Sequence, residues 1–527
     1  MDKIIDKNSQ LINRTATITD FDPINGFPYY SYCNPVNDKL PIVAYQDVKM
    51  GNPEVSEIID KGFYEAMRDC GFNMAMLLTS TTDKFSMALR ILDNLGMKAI
   101  VNCSHHLATV REVKDPLTGK LHNESGDTAN LKRFINDFKG FNSLWGWLLT
   151  DEPSYSILMN SLQSLTKGSL DIRTSYKEVR TISPEKVAFF NLAVGTSESI
   201  IGPSSSNLNN GKKYLEYLRK ICKIYNPQLI TVDIYPVRQG STNVYIRKDY
   251  YQYMEALGQM AMETCVPYWI YLLCNKHTTF YCDENTAGKY GNGAIYPMPT
   301  EGTIRFQVFS ALALGAQGLV YWTYGRPDNK YFSLDRIKEC SGKPSEEYYA
   351  APILNSDNAP YWEKYTNEFG EASIYNAIKK VNQEIDKFAS IFLNAKFISS
   401  VHAYGSDYDS EKYYTGTKTM KGPFQCVERI TLTDKASGVL LSYLKGRDND
   451  YLVVVSHDPV NPQDLTIYWN GNYKVYHPFA IDLSPETPDN PIFPSNPGDK
   501  GKISLNLGTQ SITLDPGGFQ IYRFVKI

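Results

Sequence analysis

The stretch WGWLLTDEP, from Trp145 to Pro153, decides how the fold is interpreted. Its apolar residues are typical of a strand inside a sheet. Asp151 and Glu152 are costly to bury without partners and are therefore expected at the open carboxyl end of that strand. Pro153 would end the strand and can open the next helix. A helix N-terminus capped by Asp151, with Glu152 in its first turn, is the commoner alternative for such a motif by itself.

The surrounding pattern favours the strand. From about Pro41 to Gly325, short β-rich apolar runs alternate with longer amphipathic stretches, as parallel strands alternate with crossover helices. Eight strands are predicted: Pro41–Tyr45, Asn73–Leu78, Lys98–Cys103, Leu144–Thr150, Val187–Leu192, Gln228–Ile234, Tyr268–Leu273 and Gly318–Thr323. Helices are predicted between them over Glu54–Cys70, Asp83–Leu95, Lys212–Ile224, Tyr245–Met262 and Thr303–Leu314. Eight such units predict an α/β fold, the (β/α)8 TIM barrel.

The chain of 527 residues is longer than one core usually organises, so a second, smaller domain is expected. From Ala395 onward, short alternating strands between Asp-, Asn-, Pro- and Gly-rich turns predict an antiparallel β-sandwich. The predicted division is an N-terminal extension packing on the barrel (1–38), the barrel (39–394) and the sandwich (395–527). We expect the sandwich to brace the barrel, with Trp469 exposed on it.

Composition bears on partners and location. The 54 basic and 57 acidic residues give a formal charge of -3 without a Lys/Arg-rich run, which argues against nucleic acid as a partner. No apolar run reaches the roughly 18 residues of a membrane span, and MDKIIDKNSQ lacks a signal-peptide pattern, so a soluble chain is expected. The compartment stays open between the cytoplasm and one reached through a removed leader, and the oligomeric state is not readable.

Polar residues follow most of the predicted strands. Because active sites of TIM barrels lie at the carboxyl ends of the strands, these residues are expected to ring one substrate cleft. They are Gln46, His105, His106, Asp151, Glu152, Asn191, Asp233, Tyr235, Asn275, Trp322 and Tyr324. Any one of them could instead be a cap or a loop residue, but the collective pattern is harder to dismiss. The long segment Asn275–Thr300 is expected to form a lid or a subsite wall.

Neither a metal nor a cofactor is expected. His105 and His106 lack an HExxH motif or a third ligand at suitable spacing. Cys103 and Cys274 lack the flanking signature of a thiol nucleophile, and the nine cysteines form neither a CxxC pattern nor a disulfide framework. A Gly-rich phosphate loop is also missing.

Asp151 and Glu152 cannot both ionise cheaply in a cleft, so the pKa of one of them should rise and let it donate a proton near neutrality. Three stretches carry a family resemblance: WGWLLTDEP, LITVDIYP (229–236) and RFQVFSALALGAQGLVYWTYG (305–325). Together with the C-terminal sandwich they resemble TIM-barrel glycoside hydrolases of the type found in gut Bacteroidetes, over nearly the whole chain. The resemblance implies cleavage of O-glycosidic bonds in an oligo- or polysaccharide, with Glu152 as general acid/base and with Tyr235 and Trp322 binding the sugar.

The sequence departs from that family pattern in one respect. The large clan with Glu residues on strands four and seven expects a nucleophilic Glu after the seventh strand, and WIYLLCNK (269–276) contains none. In one alternative Asp233, the best candidate, or Glu284 or Glu301 supplies the second carboxylate, at roughly 5 Å for retention and farther for inversion.

In the other alternative Asp151 and Glu152 resemble the Asp-Glu dyad of hexosaminidases in glycoside hydrolase families 20 and 123, where the acetamido oxygen of the substrate is the nucleophile. Asp151 would then orient the acetamide and Glu152 would protonate the leaving group. A carbohydrate-binding protein that keeps the barrel without turnover is the alternative from a different functional class.

Overall fold

The computed structural model describes residues 36, 39–46, 61–78, 82–194, 210–239, 244–247, 249–274, 277–278, 295–297, 299–322, 324, 374–404, 407–409, 426–433, 438–446, 449–476, 478 and 508–527. Asn275, Glu284 and most of the predicted lid lie outside these residues, as does nearly all of the predicted N-terminal extension. The predicted domain limits stay predictions.

A closed parallel barrel forms the first part of the chain. Its strands are β1 (Ile42–Gln46), β2 (Met74–Leu77), β3 (Lys98–Asn102), β6 (Leu144–Leu148), β7 (Val187–Phe189), β8 (Asn191–Ala193), β9 (Ile230–Asp233), β12 (Tyr268–Leu273) and β15 (Leu319–Trp322). In the order β7-β6-β3-β2-β1-β15-β12-β9-β8, the two end strands are consecutive pieces of chain separated by Phe190. They act as one fifth strand that pairs with β6 on one side and β9 on the other, which closes the sheet. The predicted TIM barrel is confirmed.

Helices follow the barrel strands. They are α1 (Lys61–Asp69), α2 (Thr82–Leu95), α3 (Ala129–Phe138), α4 (Tyr155–Met159), α5 (Ile172–Ile182), α6 (Asn210–Tyr225), α7 (Tyr250–Thr264), α8 (Glu301–Ala313) and α9 (Tyr375–Asn394), with 3-10 turns at Ser104–His106 and Leu162–Ser164. Small hairpins lie beside the barrel sheet: β4 (Val110–Lys114) with β5 (Leu121–Ser125), β10 (Val237–Gln239) with β11 (Val244–Ile246), and β13 (His277–Thr278) with β14 (Ile295–Tyr296). None of the described helices is long and apolar enough to cross a membrane.

Alternate side chains of the barrel strands fill its interior, because successive residues of a strand point to opposite faces. Val43, Met76 and Phe189 belong to this inner layer. At the amino end of the barrel Trp145 and Trp269 stack with their ring centroids 4.8 Å apart. Gly318 makes room for them, since a Cβ there would lie 2.5 Å from the Trp269 ring. The amino end is thus closed by packing, which leaves the carboxyl end for a site.

The C-terminal part of the chain contains two antiparallel sheets. Its strands are β16 (Ala395–Tyr404), β17 (Asp407–Asp409), β18 (Val427–Leu432), β19 (Gly438–Gly446), β20 (Asp450–Ser456), β21 (Gln463–Trp469), β22 (Tyr473–Tyr476), β23 (Thr509–Leu514) and β24 (Phe519–Lys526). The first sheet has the order β17-β16-β19-β20-β24-β22 and the second β18-β21-β23.

The expectation of an exposed Trp469 is wrong. The side chain is only 4% exposed and packs edge-on against Tyr522, with ring centroids 4.9 Å apart. The reason is the alternation of β21, which places Leu465, Ile467 and Trp469 on its buried face. Trp469 therefore belongs to the core between the sheets.

The barrel and the C-terminal sheets pack directly against each other. Phe309 of α8 stacks on Phe519 of β24 at a centroid distance of 3.7 Å. Gly517, with φ +61°, allows close approach to the Gly302 backbone, where a Cβ would clash. Glu255 of α7 reaches across the same junction and accepts a hydrogen bond from Ser400 of β16 at 2.9 Å.

Candidate active site

The chain after β6 stays bound to the fifth strand before it turns into the cleft. The Leu149 amide donates to the Phe189 carbonyl at 2.9 Å, and the Glu152 amide donates to the Asn191 carbonyl at 3.1 Å. Glu152 has φ 43°, a left-handed conformation that costs a non-glycine residue about 1 kcal/mol. This turn lets both adjacent carboxylates reach the carboxyl end of the barrel, and the 3.1 and 2.9 Å bonds hold it in place.

Asp151 is oriented by two donors from different strands. The Asn191 amide nitrogen donates to Asp151 Oδ1 at 2.8 Å, and the hydroxyl of Tyr45, at the end of β1, donates to Oδ2 at 3.4 Å. Together the two bonds fix the direction in which the Asp151 carboxylate points.

Asn191 joins two of the carboxylates. Its Oδ1 accepts a hydrogen bond from the Thr231 hydroxyl at 3.0 Å, which turns its Nδ2 toward Asp151 and toward Asp233 Oδ1, 3.4 Å away. Asn191 is 1% exposed, so protein groups occupy its amide. The position fits a residue that holds the two aspartates better than one that meets the substrate directly.

The carboxyl groups of Glu152 and Asp233 are close neighbours at the carboxyl end of the barrel. Burial raises the pKa of Asp233 well above its usual range, and the charge of Glu152, the hydrogen bond with it and the charge of Asp151 raise it further. Two neighbouring carboxyls of this kind hold a proton between them near neutrality. Asp233, on β9, is therefore the carboxyl whose pKa is raised. The sequence predicted this rise within the neighbouring pair Asp151 and Glu152 instead.

Aromatic side chains stand beside the carboxylates. Tyr235 stacks on Trp322 with ring centroids 5.9 Å apart and an interplanar angle of 24°, and its edge contacts Tyr296 at 5.8 Å. Burial raises the pKa of Tyr235, and the charges of Asp233, Asp151 and Glu152 raise it further. Its hydroxyl therefore stays protonated as a donor beside the acids. Tyr235 and Trp322 stand at the carboxyl ends of β9 and β15, and their role in sugar binding stays a prediction.

The other predicted site residues are placed differently. His106 stacks on Phe134 of α3, with ring centroids 4.1 Å apart, and burial together with His105 and Arg133 lowers its pKa. His105 is exposed in the same 3-10 turn. Tyr324 is fully buried and packs edge-on against Phe63 and Phe72, so the structure does not bring it to the carboxylates.

Gln46 ends β1, but its side chain lies outside the described residues, as does all of Asn275. Glu301, one alternative for a second carboxylate, begins α8 and pairs with Arg305 at 3.1 Å and Lys380 at 2.8 Å. Against an opposing effect of burial, these cations lower the pKa of Glu301. The ion pairs give Glu301 a structural role at a helix N-terminus.

Cys103 and Cys274 are buried free thiols. Burial raises the pKa of the Cys103 thiol to about 12, and the pKa of Cys274 is likewise raised, which disfavours a thiolate at either position. Within the described part of the chain, no group of three His, Cys, Asp or Glu side chains is arranged to hold a metal ion.

Sequence reasoning missed Tyr45 and Thr231. Tyr45 lies two residues after Val43, and Thr231 lies two residues before Asp233. Residues two apart in a strand share one face, so the period of two carries a signal for both. An apolar strand with a Tyr at its end offers no chemical signature, however, and Thr231 acts only through Asn191.

No family model and no curated protein matches the chain. Solved structures similar to it include a β-galactosidase from the psychrophilic Marinomonas ef1 (11% identity, 68% of this chain and 62% of that one, TM-score 0.38). They also include the maltogenic α-amylase AmyB from Thermotoga neapolitana (10% identity, 94% of this chain and 100% of that one, TM-score 0.42). A third is an exo-β-1,4-mannosidase from Opitutaceae bacterium strain TAV5 (11% identity, 67% of this chain and 60% of that one, TM-score 0.39).

These similar structures are glycoside hydrolases. The chain spans about three fifths of the length of the Marinomonas enzyme, and a similar share, 58%, of a β-galactosidase from Halorubrum lacusprofundi.

Proposed function

We propose that the protein is a glycoside hydrolase that cleaves O-glycosidic bonds of an oligo- or polysaccharide, with Glu152 as general acid/base. The observation that carries this proposal is the cluster of the carboxyls of Asp151, Glu152 and Asp233 at the open end of the barrel, beside the stacked rings of Tyr235 and Trp322. Glycoside hydrolysis requires an acid that protonates the leaving oxygen.

The two carboxyls have different access to a substrate. Glu152 is exposed, so its carboxyl can reach a glycosidic oxygen. Asp233 is half-buried and holds a proton, because burial and the neighbouring carboxylates raise its pKa. Asp233 lies beside Glu152 and so places a second carboxyl next to the acid that would protonate the leaving oxygen. Tyr235 and Trp322 would supply the apolar ring faces on which a sugar packs.

A substrate-assisted N-acetylhexosaminidase is the second candidate, and one observation favours it. Asp151 is held by the Asn191 amide at 2.8 Å and by the Tyr45 hydroxyl at 3.4 Å, as a residue that orients an acetamido group would need to be.

The test is hydrolysis of fluorogenic glycosides in both anomers, with and without N-acetyl groups, by the native protein and its Glu152→Gln variant. Release confined to N-acetylhexosaminides and abolished in the variant would support the substrate-assisted dyad. Release from neutral sugars that depends on Glu152 would support a second carboxylate from the protein. A native protein that binds oligosaccharides without turning over any glycoside or polysaccharide would overturn the hydrolase proposal in favour of a carbohydrate-binding protein.

A further inference from the structure

A groove of about 530 Å³ runs along the outside of the barrel between α5 and α6, away from the carboxylate cleft. Its volume is in the range of small-molecule sites. Tyr176 of α5 and Tyr225 of α6 line it and touch each other edge-on, with ring centroids 6.0 Å apart. None of the described residues that line it is acidic, whereas Arg173, Lys177 and Arg180 are all cationic.

The three cations lie on one face of α5, because residues three and four positions apart on a helix are neighbours. Like charges at such spacings destabilise a helix. The acidic residue next to Lys177, Glu178, points to another partner and pairs with Lys132 at 3.4 Å. The repulsion within the groove is therefore not relieved by this acid.

Both arginines are fixed in place and retain spare donors. Arg173 Nη2 donates to the Met159 carbonyl at 3.0 Å, and its guanidinium lies 6.0 Å from the centre of the Tyr225 ring. Arg180 Nη1 donates to the Asn226 carbonyl at 3.2 Å, and its guanidinium lies 5.6 Å from the centre of the Tyr176 ring. A guanidinium has five N–H donors, so each keeps several for a ligand.

Helix packing explains the arginines but not the lysine. Lys177 is exposed between them and forms no ion pair with any carboxylate in the described residues. Its ammonium adds repulsion to the helix without an ion pair that would offset it. An anion beside Lys177 would lie between the two arginines and relieve that repulsion.

We propose that this groove binds a ligand that carries phosphate or sulfate groups. Two sources share this chemistry: a free inorganic anion, and a phosphate or sulfate ester on a saccharide small enough for the groove. Preorganised guanidinium groups suit such groups, because their paired N–H donors match two oxygens of one oxyanion. The site is independent of the proposed activity of the cleft.

The test is calorimetric titration of the full chain with inorganic pyrophosphate, with a sulfated disaccharide and with the same disaccharide without sulfate. Lys177→Glu should weaken binding of the charged probes at least about tenfold, since it removes one charged hydrogen bond and adds a repulsion. Lys177→Arg should retain binding. Lys474→Glu, the same charge change at an exposed position of β22, is the matched control and should leave affinity unchanged.

Binding of pyrophosphate alone would support a free anion as the ligand, and binding of the sulfated but not the neutral disaccharide would support an ester on a saccharide. The proposal is overturned if neither charged probe binds the native protein, or if Lys177→Glu and Lys474→Glu weaken binding equally. Tighter binding of a short oligonucleotide, lost in Lys177→Glu, would also overturn it in favour of a nucleic-acid surface. Because Lys177 is exposed, circular dichroism should show both variants folded as the native chain is.

Discussion

Two carboxylates that folding withdraws from water have opposite kinds of neighbour. Asp233, in the cleft, faces Glu152 and Asp151, whose charges add to the effect of burial and raise its pKa further. Glu255, at the junction between barrel and sandwich, is also raised in pKa by burial, but hydrogen bonds from His402 and Ser400 oppose that rise. The His402 ring nitrogen and the Ser400 hydroxyl lie 3.0 and 2.9 Å from its Oε1.

The difference separates a structural carboxylate from a candidate for chemistry. At the junction, donors partly offset the burial of an acid and so help to join the two parts of the chain. In the cleft, acids face acids, and Glu152 sits in a left-handed backbone conformation. Such unrelieved electrostatic and conformational cost is typical of functional sites. If this interpretation is right, substitutions in the cleft should change activity more than stability, and substitutions at the junction should do the reverse.

The largest effect is expected from Glu152→Gln. Replacing a general acid by an amide should lower kcat by about 10² to 10⁴, because the leaving oxygen then receives no proton. The free energy of unfolding should not fall, since Glu152 is exposed and the amide removes a negative charge beside Asp233. Steady-state rates on the glycoside identified by the panel, beside urea unfolding, measure both. Glu112→Gln, at an exposed position, is the control. A Glu152→Gln variant with the native kcat would show that Glu152 is not the general acid.

Glu255→Ala should give the next largest effect, a loss of about 3 kcal/mol in the free energy of unfolding. The substitution leaves the buried His402 and Ser400 side chains without their shared acceptor. Urea denaturation measures the loss, with Glu112→Ala as a control that should change little. Equal stability of the Glu255→Ala and native proteins would show that the junction does not depend on this carboxylate.

Asp233→Asn should stabilise the protein at pH 7 by at least about 1 kcal/mol, because each unit by which folding raises the pKa of Asp233 costs about 1.4 kcal/mol and the amide avoids that cost. Because the pKa of Asp233 is raised on folding, the folded state holds the proton more tightly than the unfolded state. Native stability is therefore lost as pH rises through the raised pKa, and the variant escapes that loss. The advantage should vanish below the unfolded pKa, near pH 4. Urea unfolding of both proteins at pH 7 and at pH 4 measures this difference. A variant that is less stable than the native protein at pH 7 would contradict the prediction.

The smallest effect is expected at His457, whose ring lies 3.0 Å from that of His402. Burial, and then His402, lower the pKa of His457 well below its ordinary value. The unfolded chain therefore binds a proton that the folded one does not, and stability falls as pH drops through about 6.5. Between pH 7 and 6 the contribution is about 0.7 kcal/mol, and His457→Gln should remove it. Parallel pH profiles of the native and variant proteins, from thermal melts, would disprove this assignment.

The strand pattern was predictable because it depends on local periodicity. Residues of the predicted strands, from Pro41–Tyr45 to Gly318–Thr323, form the observed barrel, with limits that differ by a residue or two. The same rule was not applied to β21, so Trp469 was expected outside although its alternation with Leu465 and Ile467 places it inside. Tyr324 follows its strand just as Trp322 ends it, yet Tyr324 is buried against Phe63 and Phe72.

The sequence by itself determined that carboxylates and aromatic residues stand at the carboxyl ends of parallel strands, since strand period and residue type are local properties. Only the tertiary structure decided which of them meet. Asp233 lies far along the chain from Glu152, and barrel closure through the fifth strand brings β6 and β9 onto either side of it. The pKa of Asp233 is raised because charge interaction depends on distance in space and on exclusion of water, neither of which is set by position along the chain.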